Sequence, residues 1–143
     1  MFELEESVSV SRANNMNPIV LAFVGDAVYT LYVRTRLAVL CDAKAGQLNK
    51  QSAETVRASA QAELSDALIH VLTEEELAVF RRARNAKKGT RAKNSTVSDY
   101  NKSTGLEAVF GYLYVSGQKE RLKFLLNQSE KATGTAAGEK YED

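Results

Sequence analysis

The sequence predicts an all-α domain, on three observations. Apolar residues return at steps of three and four in one stretch after another, the period of a helix with one buried face. No stretch of useful length alternates apolar and polar residues as a half-buried strand does. A single proline, Pro18, and eight scattered glycines leave room for long uninterrupted helices. The 143 residues suit one domain, and an apolar share of 44% is enough for one core.

Met1 to Met16 are polar and weakly patterned, an irregular lead-in with at most a short turn of helix. Asn17-Pro18 is a strong helix start, because Asn caps free backbone N–H groups and Pro suits the first helical position. The helix it opens runs to about Val39, with Val20, Leu21, Val24, Val28, Leu31 and Tyr32 as the expected buried stripe. Asp42 is placed to cap a short helix from Ala43 to Asn49. A second long region, about Gln51 to Val71, carries Val56, Ala60, Leu64, Leu68 and Val71 on one face, with a break expected near Ala60.

Thr73 followed by Glu74, Glu75 and Glu76 reads as a capping box that opens a helix through about Asn85, with Leu77 and Phe80 facing inward. Ala86 to Val97 has no apolar period and is expected to be an exposed basic loop, about 86–98. A helix from about Asp99 to Ser116 follows, with Leu106, Val109, Phe110 and Leu113 inward and Gly117 ending it. Glu120 to about Lys131 makes the last helix through Leu122, Leu125 and Leu126. The expected domain is thus 1–131, with 132–143 as a flexible polar tail.

Composition narrows the function. The one cysteine, Cys41, forms neither an internal disulfide nor a metal cluster by itself, and is read as a buried thiol. There is no basic-then-apolar leader, and the apolar run Ile19–Val24 is too short for a membrane span, so a cytoplasmic protein with no membrane association is expected. Net charge is +1, yet Arg81 to Lys102 hold eight basic residues and one acid, +7, against −6 for the rest. Charge so concentrated suits a polyanion partner, although a solvated basic loop has the same composition. His70 is the one histidine, so no nucleophile–histidine–acid set can be assembled around it with confidence. No phosphate-loop glycine pattern is present. Covalent and nucleotide hydrolases are therefore disfavoured.

Two carboxylates stand out. Asp26 lies inside the apolar run Ile19 to Tyr29, on a helix face shared with Ala22, Thr30 and Arg34, which its small and polar residues mark as outside the core. Glu107 repeats the pattern on a face shared with Ser103, Thr104, Gly111 and Tyr114, where the small residues leave room for an ion or a phosphate. Gly25 and Gly111 each weaken their helix by about 1 kcal/mol against Ala, a cost that a close helix–helix approach would justify. The two helices are therefore expected to cross there and bring Asp26 and Glu107 to one site. Two carboxylates with no Cys or His nearby suit a hard cation such as Mg²⁺. A structural ion pair for each acid fits the same pattern.

The segment Leu21-Ala-Phe-Val-Gly-Asp-Ala-Val28 resembles the signature helix of ribonuclease III, and Glu107-Ala-Val-Phe-Gly-Tyr-Leu-Tyr114 resembles that family's second acidic helix. Between them, Arg84-Asn-Ala-Lys-Lys-Gly-Thr and Lys93-Asn94 resemble the basic loop of the Mini-III branch, a catalytic domain without a double-stranded-RNA-binding domain. The resemblance covers about Asn17 to Leu126. It departs where the family has further acids: Ile19, Ala22 and Thr104 stand at those positions, and Mini-III proteins share the reduction.

The resemblance implies an all-α homodimer with a valley for duplex RNA. Each subunit would use Asp26 and Glu107 as catalytic metal ligands for Mg²⁺, with Mn²⁺ able to substitute. Cleavage would leave a 5′-phosphate and a 3′-hydroxyl with a short 3′ overhang, in the maturation of large-subunit (23S) ribosomal RNA. Arg84, Asn85, Lys87, Lys88, Arg91, Lys93 and Asn94 are the RNA-binding candidates. The rival reading within this fold is a structured-RNA-binding module that does not cut. The rival outside it is an unrelated helical interaction domain.

Overall fold

The computed structural model describes residues 6–40, 42–88 and 95–132. Within them the chain forms seven α-helices and no strand: α1 (Val10–Asn14), α2 (Pro18–Leu40), α3 (Ala45–Val56), α4 (Ala58–Leu68), α5 (Glu74–Asn85), α6 (Val97–Val115) and α7 (Lys119–Ala132). A 3₁₀ turn, Ile69–Val71, extends α4. Cys41 and the tail from 133 lie outside the described residues. Among those described, no helix is long and apolar enough to cross a membrane.

Helix ends follow local chemistry. The Asn17 Oδ1 accepts from the Ile19 N–H at 2.8 Å and opens α2 with Pro18 in its first position. Thr73 and Glu76 exchange the two bonds of a capping box at α5. Gly117, at φ 71°, ends α6, and the Gln118 N–H closes back on the Leu113 carbonyl at 2.9 Å. Three expected boundaries moved. Asp42 does not cap α3, whose N-cap is Lys44 without a side-chain bond. The break between α3 and α4 falls at Arg57, in extended backbone, rather than at Ala60. Thr96, accepting from the Asp99 N–H, starts α6 two residues earlier than expected.

Helix α6 is the centre of the domain. Ser103 to Leu106 and Ala108 to Leu113 are buried, and α6 packs on α1, α2, α4, α5 and α7. Leu106, Val109, Phe110 and Leu113 form its apolar centre as expected, joined by Leu122, Leu125 and Leu126 from α7 and Val79 and Phe80 from α5. The Tyr29 and Phe110 rings stack at 5.4 Å between α2 and α6. Arg121 of α7 closes the end of α5, gripping the buried Glu76 at 2.8 Å and the Val71 carbonyl.

The buried face of α2 differs from the expected stripe. Leu21, Ala22, Gly25, Val28, Tyr29, Val33 and Leu37 are inside, while Val20 and Leu31 are exposed. The cause is the α2–α6 crossing. Backbones approach at Gly25 and Gly111, so the face that bears Gly25 turns inward and carries Ala22 with it. Phe23, 79% exposed, points away.

Candidate active site

At the crossing a Cβ on Gly25 would overlap the Glu107 carbonyl oxygen and lie 2.6 Å from its carbon and 2.8 Å from the Gly111 nitrogen. A Cβ on Gly111 would overlap the Leu21 carbonyl oxygen and lie 2.8 Å from its carbon. Helices usually pack with axes 8–10 Å apart, set by the side chains at the contact. Here the backbones themselves are in contact, and Asp26, next to Gly25, and Glu107, one turn before Gly111 and with its own carbonyl against Gly25, project from the same crossing.

Those carboxylates meet within hydrogen-bonding reach. Asp26 is exposed and Glu107 half-buried, so the pair sits where the helix crossing opens to solvent. From α4, Gln61 Nε2 donates to Glu107 Oε2 at 3.2 Å. Small neighbours of Glu107 do not leave the free space that the sequence suggested. Ser103, Thr104 and Gly111 are buried in helix packing, and both hydroxyls donate to the Tyr100 carbonyl.

Burial, and then the negative charge of Asp26, push the Glu107 carboxyl from its ordinary 4.5 up to about 8. The Asp26 hydrogen bond acts in the same direction, and that from Gln61 opposes it. The donor set is two carboxylates with no sulfur or imidazole, the hard-oxygen chemistry that suits Mg²⁺ or Mn²⁺. Mg²⁺ needs only one or two protein carboxylates when phosphate oxygens and waters complete its shell. The residues fit such an ion. Among the described residues no group of three or more His, Cys, Asp and Glu is placed to hold a metal, so these two carboxylates stand without a third protein ligand of those types.

A raised folded-state pKa has a testable sign. Protonated Glu107 stabilises the fold fully below about pH 4.5, and that stabilisation is lost as the pH rises through about 8. The metal-free melting temperature is expected to fall between about pH 5 and pH 8.5, and a divalent cation to restore it. Glu107→Gln, which stays neutral, should flatten this slope in a thermal melt; an equal slope in both proteins would count against the assignment.

Of the RNA-binding candidates, Arg84 and Asn85 end α5, and Lys87 and Lys88 follow it. Arg84 lies over the Phe80 ring at 5.7 Å, and its Nε donates to Asn85 Oδ1 at 3.1 Å. Lys87 is exposed. Lys88 turns back on the helix end and donates to the Arg84 and Ala86 carbonyls, and burial lowers its pKa. Arg91, Lys93 and Asn94 lie outside the described residues.

Sequence reading missed Gln61. Its signal was a long polar side chain in step with Leu64 and Leu68, a buried register where an amide needs a reason.

Residues 19–118 match the Ribonuclease III domain family. The Mini-ribonuclease 3 of Brevibacillus brevis is 46% identical over 116 residues, spanning 81% of this chain and 87% of that protein. The Mini-ribonuclease 3 of Thermoanaerobacter sp. is 44% identical over 115 residues, spanning 80% and 81%. An X-ray structure of a Fusobacterium nucleatum protein superposes with a TM-score of 0.76 at 29% identity, covering 88% of this chain and 99% of that one.

Proposed function

Because the chain belongs to the ribonuclease III family, and within it to the Mini-ribonuclease 3 branch, we propose that this endoribonuclease cuts double-stranded RNA with Mg²⁺ and matures large-subunit ribosomal RNA. The observation that carries the reading is the meeting of Asp26 and Glu107 at the solvent-facing edge of a backbone-to-backbone helix crossing.

Asp26 and Glu107 are the residues that hold the cation. The chemistry a divalent ion supplies there is activation of water and neutralisation of charge on the scissile phosphate. Asp26, on the exposed side, is the acid nearer to incoming RNA. Glu107 is anchored in the core helix and keeps its position when substrate arrives. Arg84 and Lys87 contact backbone phosphates, with Arg91, Lys93 and Asn94 beyond them and Asn85 and Lys88 shaping the base of the loop. Such contacts confer affinity and salt dependence with little sequence information. Duplex RNA is read mainly by shape, through its shallow minor groove.

The working unit is a homodimer. Val20, Phe23, Ala27 and Leu31 recur at steps of three and four along the exposed side of α2 and form an uncovered apolar stripe. The stripe shares its helix with Asp26. A two-fold docking of α2 on a second copy therefore sets two carboxylate pairs at a fixed spacing, one for each RNA strand. Phe23→Glu is expected to give the mass of one chain in light scattering and to slow cleavage by about tenfold or more. A dimer that persists in this variant would show that the stripe is not the interface.

The reaction is tested directly with a long RNA duplex in Mg²⁺ or in a chelator. Fragments with 5′-phosphate ends that form in Mg²⁺ alone are the expected result. Tight, salt-sensitive binding without cleavage would favour an RNA-binding module, for which the non-acidic Ile19, Ala22 and Thr104 are the motive.

A further inference from the structure

Three helices, not two, meet at the carboxylate pair. Gln61 of α4 is 2% exposed. Its Nε2 donates to Glu107 Oε2 at 3.2 Å and to the Val56 carbonyl, at the last residue of α3, at 2.7 Å. Its Oε1 is buried and has no hydrogen-bond partner among the described residues. Both partners of Nε2 are acceptors, so the amide orientation follows from the network: nitrogen toward Glu107, oxygen away. Packing does not account for this residue, because a leucine would fill the space without leaving an acceptor dry. What a leucine cannot do is donate to the Val56 carbonyl and, through the same nitrogen, to Glu107.

We propose that Gln61 is a positioning residue for the metal site, fixing one oxygen of the Glu107 carboxylate so that its remaining lone pairs face the cation in a set direction. The inference rests on the metal-dependent reading above. Mg²⁺ demands near-octahedral geometry, and a site with two protein carboxylates has few other means of imposing it. Hydrogen-bond partners behind metal ligands serve this purpose widely, and losing one typically weakens metal binding by about 10–100-fold.

The test uses Gln61→Met, which keeps length and apolar bulk without either donor, and Gln61→Asn, whose amide falls one methylene short of Glu107. Mn²⁺ binding to the RNA-free protein is measured by calorimetry, beside the Mg²⁺ midpoint of duplex cleavage. Binding about 10–100-fold weaker is expected, with the midpoint shifted by the same factor. Most of kcat should return at saturating Mg²⁺, and RNA affinity in chelator should be unchanged. If the Met variant does not fold, the Asn variant carries the comparison.

Two results separate this inference from the reading beneath it. Wild-type Mn²⁺ binding that survives Glu107→Gln removes the metal site and the inference together. Binding that needs Glu107 but is untouched in Gln61→Met overturns the role of Gln61 alone. So does a fall in kcat at saturating Mg²⁺ with unaltered Mn²⁺ affinity, which would mark a structural part only.

Discussion

Asp26→Asn and Glu107→Gln are each expected to lower Mg²⁺-dependent cleavage of duplex RNA by about a thousandfold or more, the scale of losing a group that organises charge at the reacting phosphate. Both substitutions keep the shape of the side chain and remove its charge. Neither should unfold the protein. Two carboxylates held in hydrogen-bonding reach repel one another when both are ionised, so either neutral amide should leave the melting temperature unchanged or raise it in the absence of metal. RNA affinity should hold or tighten slightly, because removing a negative charge lessens repulsion of any phosphate brought to the pair. Activity lost while stability is kept or gained marks residues retained for chemistry at a cost to the fold. Cleavage rates, thermal melts and a binding assay on the same three proteins decide the matter. Near-normal cleavage by both variants would mean that the reaction is performed elsewhere.

Gly25→Ala and Gly111→Ala are expected to be the most damaging single-methyl changes in the domain. Replacing a mid-helix glycine with alanine ordinarily stabilises a helix by about 1 kcal/mol. Here the added Cβ would overlap a backbone carbonyl of the facing helix, and no side chain is available to rotate aside. The helices must separate or shift, with a net loss of about 3 kcal/mol or more, and the melting temperature should drop by about 10 °C. The same movement parts Asp26 from Glu107, so cleavage should fall beyond what instability alone explains. Gly46→Ala is the control. It lies in the first turn of α3 with nothing within 4 Å of the added methyl, and should be neutral or mildly stabilising. Calorimetric unfolding of the three variants measures the contrast, and a Gly25→Ala protein that melts with the wild type would refute the backbone-to-backbone crossing.

Much of this is legible in the sequence, for physical reasons that differ between elements. Caps are local, so Asn17, Thr73 and Gly117 announced the helix ends they make. The glycines announced the crossing because their helix cost needed an explanation, and the crossing then joined Asp26 to Glu107. The inward face of α2 was not legible. Val20, Leu21, Phe23, Val24, Val28 and Leu31 make the helix apolar nearly all round, and periodicity cannot choose a face from such a sequence. The choice came from Gly25, whose partner lies more than eighty residues away in sequence. The start of α3 was misplaced because Asp42 offered a capping side chain that the helix does not use, and the break at Arg57 had no local punctuation, since Val56-Arg57-Ala58 contains no glycine, proline or capping side chain. Gln61 was missed because a single glutamine carries no periodic signal. Its importance lies in Glu107, forty-six residues further along.

The burial of α6 also bears on how the protein can be switched off. Backbone amides open to solvent either by local fraying or by cooperative unfolding of a larger unit, and the middle of a helix walled in by neighbours opens mainly by the second route. Amide exchange around Glu107 should therefore be as slow as exchange anywhere in the chain, and should track global stability as denaturant is added. No partial melting can retire half of the carboxylate pair and leave a folded shell behind. On the proposed function, control would have to act from outside the core, on what reaches the exposed Asp26 side of the pair.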